Sequence, residues 1–301
     1  MYKNKYKAKN FAFLITSVGE KTLQKCLDSI LKQSLNPGQI ILSIPENTKL
    51  KNLSKRIIVI KSKIRNQVYQ RCLAKKTINK NIKILIQIDS NYLLEKETLK
   101  KLINLWSKQE NNVAGIGLVP SNYNLPKVNI LQKLFISDSS MPGKILKSGY
   151  VSAWDSMTKT KEVEWLNGGS VSWKLKYCKD IFKRRYPKIT WSVAEDLIYS
   201  YKKGKKYKLL ISNEPKIKFI NKKKKLDLFS QFKKGFFHSK IIKNFVYQNK
   251  EFSIFQLYYT SLATSLLGIV YALFTFNFNK LSRYLGRLIG ILVKTYNYEI
   301  K

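Results

Sequence analysis

The chain has 301 residues, enough to bury a full core and to form one large domain or two smaller ones. Its 44% hydrophobic content excludes a disordered chain, and its net charge of +39 (57 basic residues against 18 acids) points toward polyanions, meaning a nucleic acid or an anionic membrane surface. Only seven of the basic residues are arginine, so codon bias in an AT-rich genome, filling solvated positions with lysine, asparagine and isoleucine, accounts for the same charge. Cys26, Cys72 and Cys178 stand far apart without metal-ligand spacing, which argues against structural zinc and a disulfide framework and fits a reducing compartment.

The opening MYKNKYKAKN has no apolar core and is not expected to be a secretory signal. Residues 11–16 (FAFLIT) read as a strand that ends in the turn Ser17-Val18-Gly19, and residues 22–33 follow with apolar side chains at helical spacing. Residues 39–44 and 56–60 are two further strands, and 67–78 is a helix. Residues 82–88 form a buried strand closing at Asp89, 95–106 an amphipathic helix, and 113–119 another strand. This alternation predicts an α/β fold with a mostly parallel sheet flanked by helices. Ligands in such sheets sit at the carboxyl ends of strands, where Thr16–Glu20 and Asp89–Asn91 fall. Residues 121–157 are loop-rich and suited to a flap.

The lysine run at 222–225 marks a boundary, predicting a catalytic domain at 1–221 and a basic, hydrophobic helical region at 222–301. Residues 252–279 carry no charge, and 254–276 are long and apolar enough to cross a bilayer. A buried core helix or hairpin has the same look. Residues 281–296 space basic side chains along an apolar helix, as an interfacial segment does, and the lysines at 222–225, 233–234, 240 and 243 favour a cytoplasmic membrane face.

Three groups of residues can carry chemistry. Asp89-Ser90-Asn91 is either a strand-closing turn or an oxygen-ligand site for Mg²⁺ or Mn²⁺, with Asp89 and Asn91 as donors. Glu195-Asp196 opens an amphipathic helix, where acids suit the helix dipole; the functional alternative is a general base. Gly168-Gly169 forms a turn within an apolar segment. Arg65, Arg71 and Lys75 could meet a diphosphate, whereas His238, the single histidine, reads as a surface or packing residue. No GxxxxGK[ST], GxGxxG or HExxH occurs.

Taken in order, several segments over residues 11–240 resemble the family 2 glycosyltransferases of the GT-A fold, bacterial in type. FAFLITSVGEKTLQKCLDSILKQ is similar to the family's opening strand, turn and helix, and Gln70-Arg71-Cys72-Leu73 to its QRNxGL segment. ILIQIDSN resembles the metal-binding aspartate cluster, EVEWLNGGSVSWK the acceptor-side Gly-Gly segment, with Lys174 where arginine is frequent, and AEDLIYSYKKGKKYKLL the ED segment. The resemblance implies inverting transfer of a hexose from a nucleoside-diphosphate sugar to a glycan or lipid-linked acceptor, in cell-surface polysaccharide synthesis at the cytoplasmic face of the cell membrane. It implies Asp196 as the base with Glu195 in support. Thr16, Ser17, Glu20, Glu46, Arg71, Asp89, Ser90, Gly168 and Gly169 would bind the donor, and Asp89 and Asn91 a divalent cation, Mg²⁺ or Mn²⁺.

The chain departs from the family pattern in three places. Asp-Ser-Asn replaces Asp-x-Asp, only Glu46 follows the second strand as an acid, and the downstream histidine position falls near Asn221. The alternatives are a basic polyanion- or nucleic-acid-binding protein, disfavoured by where the aromatics cluster, and a glycosyltransferase-like chain impaired in catalysis.

Overall fold

The structure is a computed structural model, and it describes residues 5–50, 53–122, 130–135, 137–138, 141–154, 159–180, 193–220 and 227–294. The lysine run at 222–225, the expected boundary at 221–222 and part of the loop-rich stretch 121–157 lie outside those residues. The chain divides into two compact units: Met1–Leu125, Asp155–Ser192 and Tyr199–Lys222 form one, and Pro126–Trp154, Val193–Ile198 and Lys223–Lys301 the other.

Among the described residues, the first unit is built on a nine-stranded sheet. β1 (Phe11–Thr16), β2 (Gln39–Pro45), β3 (Ile57–Ser62) and β4 (Ile84–Asp89) are mutually parallel in the order β3-β2-β1-β4. Their apolar runs are buried throughout β1 and nearly throughout β2 and β4, as a strand covered on both faces requires. The sheet continues through β8 (Ser170–Lys174), antiparallel to β4, then β6 (Val113–Pro120) and β9 (Lys208–Phe219), which pair in parallel. β5 (Tyr92–Leu94) and β7 (Thr160–Val163) add antiparallel strands on β9.

Helices α1 (Leu23–Leu31), α2 (Gln67–Lys75) and α3 (Thr98–Lys108) are the crossovers. Asn66 caps α2 by accepting the N–H of Tyr69 at 2.9 Å, which starts this helix directly after β3. The core joins Phe11, Phe13 and Ile15 of β1 to Leu27 and Ile30 of α1, Ile86 of β4 and Leu102 and Trp106 of α3.

The second unit contains α4 (Ile130–Leu134), α6 (Leu228–Tyr247), α7 (Ile254–Phe274) and α8 (Phe278–Leu292). α5 (Glu195–Gly204) begins in this unit and ends in the first. Asp227, Ser253 and Asn277 each accept a backbone N–H at the start of α6, α7 and α8. Phe276, at φ 48° just past the end of α7, makes the left-handed turn into α8. Among the described residues, α7 is the one helix long and apolar enough to cross a membrane, and its length is about 31 Å at 1.5 Å per residue. α6 is a 20-residue helix within the stretch expected to be helical, with bounds that the mixed lysine and phenylalanine pattern did not mark.

Candidate active site

Parallel pairing aligns the carboxyl ends of four strands. Thr16 is in register with both Ser43 and Asp89, and Pro45 with Ser62. Beyond this edge the chain turns back at Gly19, whose φ of +85° belongs to the left-handed region that glycine adopts without strain. The turn brings Glu20 over the strand ends. Its Oε2 accepts from the Ser17 hydroxyl, from the Val18 N–H at 3.2 Å and from the Ser90 hydroxyl at 3.1 Å. Glu20, Ser17 and Ser90, named separately on the sequence, therefore form one cluster. Gln70 locks the platform beneath, donating to the carbonyls of Ser17 (3.2 Å) and Ser43 (3.1 Å).

Asp89 anchors the centre. Its Oδ1 accepts from Arg71 Nη2 at 2.9 Å and from Gln67 Nε2 at 2.8 Å, and its N–H donates to the carbonyl of Gly169 at 2.8 Å. Arg71 is 2% exposed, so its guanidinium faces the protein interior. It donates to the Gly168 carbonyl at 3.3 Å, and Gln87 donates to the same oxygen. The role of the Gly-Gly turn is thus visible in the fold: a Cβ on Gly169 would lie 2.9 Å from Asp89 Oδ2 and 3.3 Å from the Tyr92 ring. Arg71, Asp89 and Gly168-Gly169 form a single unit, with Arg71 positioning Asp89.

On the other side of the strand edge is an open cleft of about 610 Å³. Glu46 lines it with Gly19, Thr48, Lys49, Lys63 and Arg65. Lys49 and Lys63 were not singled out on the sequence; the signal for Lys63 was its place directly after β3. Lys75, expected near a phosphate, donates instead to the Lys179 carbonyl.

Oxygen donors suit Mg²⁺ or Mn²⁺, and Mg²⁺ is often held by one or two carboxylates plus substrate phosphates. Asn91 Oδ1 is buried and has no hydrogen-bond partner among the described residues, and the same holds for Thr16 Oγ1. An orphaned amide oxygen two residues from Asp89 fits a cation ligand. The donor set is lean, since no group of three His, Cys, Asp or Glu side chains forms among the described residues.

In the second unit, Glu195 and Asp196 occupy the first turn of α5, and Asp196 Oδ1 accepts the Leu197 N–H at 2.9 Å. The preceding Ala194 has φ 52°, a left-handed conformation that costs an alanine about 1–2 kcal/mol. Strain of this kind in front of an acid pair is a mark of functional turns. The three cysteines are free; burial pushes the thiols of Cys26 to about 12 and Cys178 to about 11, which keeps them protonated.

No family profile matches the sequence, and no curated protein matches it. Solved structures do. The fold is similar to that of the mannosyltransferase PcManGT from Pyrobaculum calidifontis in complex with GDP-Man and Mn²⁺, at a TM-score of 0.55 and 10% identity over 94% of this chain and 87% of that one. It is similar to residues 1–349 of S. aureus TarS, at a TM-score of 0.51 and 13% identity over 93% of this chain and 91% of that one. The same TarS fragment in complex with UDP-GlcNAc gives a TM-score of 0.50 and 12% identity over 93% and 91%. At these identities the likeness is one of fold, and the fold is the GT-A type that the sequence motifs implied.

Proposed function

We propose that the chain is an inverting family 2 glycosyltransferase that moves a hexose from a nucleoside-diphosphate sugar to a hydroxyl of a glycan or lipid-linked acceptor. The observation that carries this reading is the joining of Glu20, Ser90, Asp89, Arg71 and Gly168-Gly169 at the carboxyl ends of parallel strands in a GT-A fold. The similar structures bind GDP-Man and UDP-GlcNAc, both nucleoside-diphosphate sugars.

In this reading the cleft beside Glu46 takes the nucleoside, and Lys63 and Arg65 meet the diphosphate charge. Thr16, Ser17, Glu20 and Ser90 line the donor path, and Arg71 acts through Asp89. Asp89 and Asn91 would hold the cation, which would offset the negative charge that develops on the leaving diphosphate. Asp196 removes the proton of the acceptor hydroxyl as its oxygen bonds to the anomeric carbon. The bond from that carbon to the diphosphate oxygen breaks, the nucleoside diphosphate departs, and attack from the opposite face inverts the centre. Glu195 supports Asp196.

The cytoplasmic face of the cell membrane is the proposed location and a lipid-linked or growing surface glycan the acceptor, in keeping with the exposed apolar face of α7 and the chain's positive charge. Asp196→Asn tests the central assignment: transfer falls at least a hundredfold while donor affinity, read by titration calorimetry, stays within twofold. Retained turnover removes Asp196 from the base role. Asn91→Asp should tighten Mn²⁺ binding, read by paramagnetic resonance in the absence of turnover; unchanged affinity moves the cation elsewhere.

A further inference from the structure

The helical unit contains a constellation that sugar transfer does not use. α6 and α8 run parallel and touch through glycines. Gly286 packs on the Phe232 carbonyl and Gly290 on the Phe236 carbonyl, while a Cβ on Gly235 would strike the Arg283 carbonyl and lie 3.0 Å from the Arg287 nitrogen. This close approach sets Lys234 and His238, one turn apart on α6, beside Arg283 and Arg287, one turn apart on α8. All four are half-buried. The Tyr150 ring meets the His238 ring edge-on.

Nothing among the described residues neutralises this group. Lys234, Arg283 and Arg287 form no ion pair there, and His238 Nδ1 and Arg287 Nε are buried atoms without a hydrogen-bond partner. Burial, then Arg287, Arg283 and Lys234, pushes the His238 imidazole down to about 3, so it is neutral at physiological pH. Burial, then Arg283 and Arg287, lowers Lys234 as well. Here three cations and an imidazole are held together, with two buried ring and guanidinium nitrogens unpartnered among the described residues. Guanidinium forks match the oxygens of a phosphate, and charge-assisted hydrogen bonds to such an anion would satisfy the orphaned nitrogens.

We propose that Lys234, His238, Arg283 and Arg287 form a phosphate-binding site, separate from the strand-end cleft, that takes a phosphate or diphosphate group from a lipid headgroup or from solution. The test uses the full chain carrying Lys63→Gln and Arg65→Gln, which weaken the anion attraction of the strand-end cleft. Calorimetry with inorganic pyrophosphate should then show one remaining site, and adding Arg283→Gln with Arg287→Gln should weaken it about tenfold to a hundredfold. Flotation with phosphatidylcholine vesicles, with and without phosphatidic acid, separates the sources. Loss of both pyrophosphate binding and the phosphatidic-acid increment assigns a lipid headgroup, and loss of pyrophosphate binding alone assigns a soluble ligand.

Failure of the chain to bind pyrophosphate, or undiminished affinity in the double arginine variant, overturns the site. If circular dichroism shows that variant unfolded, Lys234→Gln and His238→Gln singly replace it, with the same deciding outcomes. Neither measurement reads transfer, so the result is independent of the catalytic reading.

Discussion

In the α/β unit, α3 turns Leu99, Leu102 and Trp106 inward and leaves Lys100 and Lys101 in solvent; in the helical unit, α7 does the reverse. Its buried positions are Leu257, Thr260, Ser261, Ser265, Gly268 and Ala272, mostly small or hydroxylated. Its exposed positions include Phe255, Leu266, Leu267, Val270, Leu273 and Phe274, the last 82% exposed. Gly268 lies against the Tyr284 ring of α8, and Ser261 shares a hydrogen bond with Tyr150 at 3.2 Å. Large apolar groups drive burial in water, so the α3 pattern belongs to a water-facing domain. Small and hydroxylated residues between helices, with large apolar ones outside, is the pattern that packs well in lipid. The two helices thus hide opposite kinds of side chain, and the α7 pattern is the one expected of a helix whose outer face meets lipid or another protein.

The largest expected effect lies in the α/β unit, where the buried Arg71 guanidinium is paired with Asp89. Arg71→Met leaves the Asp89 carboxylate without its 2.9 Å partner and should lower unfolding stability by about 3 kcal/mol. Urea denaturation measures it, with Arg71→Met/Asp89→Asn expected to recover part of the loss. A cost below about 1 kcal/mol for the single change would mean that the pair does not hold the strand ends together.

The helical unit should respond in the opposite sense. Leu266→Ser and Phe274→Ser remove exposed apolar side chains, so stability in buffer should hold or rise slightly. Partition into vesicles of phosphatidylcholine and phosphatidylglycerol should fall about tenfold for each, from the roughly 1.5–3 kcal/mol that burying such a side chain contributes. If the substitutions instead convert a dimer to a monomer in sedimentation, the apolar face is a protein interface and the lipid assignment fails.

The bounds of strands β1 and β4 and helix α7 were legible to within about two residues, because turns or caps bound their continuous apolar runs. The strand-end positions of Thr16–Glu20 and Asp89–Asn91 followed from the alternation alone. What stayed hidden depends on contacts across long separations. Arg71 reads on the sequence as a phosphate ligand, yet the fold buries it against Asp89, 18 residues away. Gly169 reads as a turn residue, and its reason is the Asp89 carboxylate beside it. The bounds of α6 within the expected helical region escaped because buried lysines break its periodicity. Lys243, 4% exposed, donates to the Ile291 carbonyl at 2.8 Å and so ties α6 to the last turn of α8, an interaction that no local pattern announces. Interior arginine and lysine lie behind the Arg71 and α6 cases.

Lys174 gives the smallest and most specific test of how the α/β unit tolerates interior charge. It ends β8, is 3% exposed, donates to the Asn111 carbonyl at 3.1 Å and lies 5.3 Å over the Trp106 ring. Burial, then Lys5 and Lys176, pulls its ammonium from 10.5 down to about 8. Between those two values the unfolded chain binds more protons than the folded one, so stability rises with pH across the window. Below about pH 8 both states are protonated and the cost of burying the charge is present in full. Lys174→Met keeps the aliphatic volume and removes the charge. Its stability relative to the unaltered chain should therefore be most favourable near pH 7 and decline steadily between pH 8 and 10.5. Thermal melts of both proteins across that range measure the difference, and a difference that does not change with pH would show that the ammonium reaches solvent and that the sheet edge at Lys174 is wetter than its burial implies.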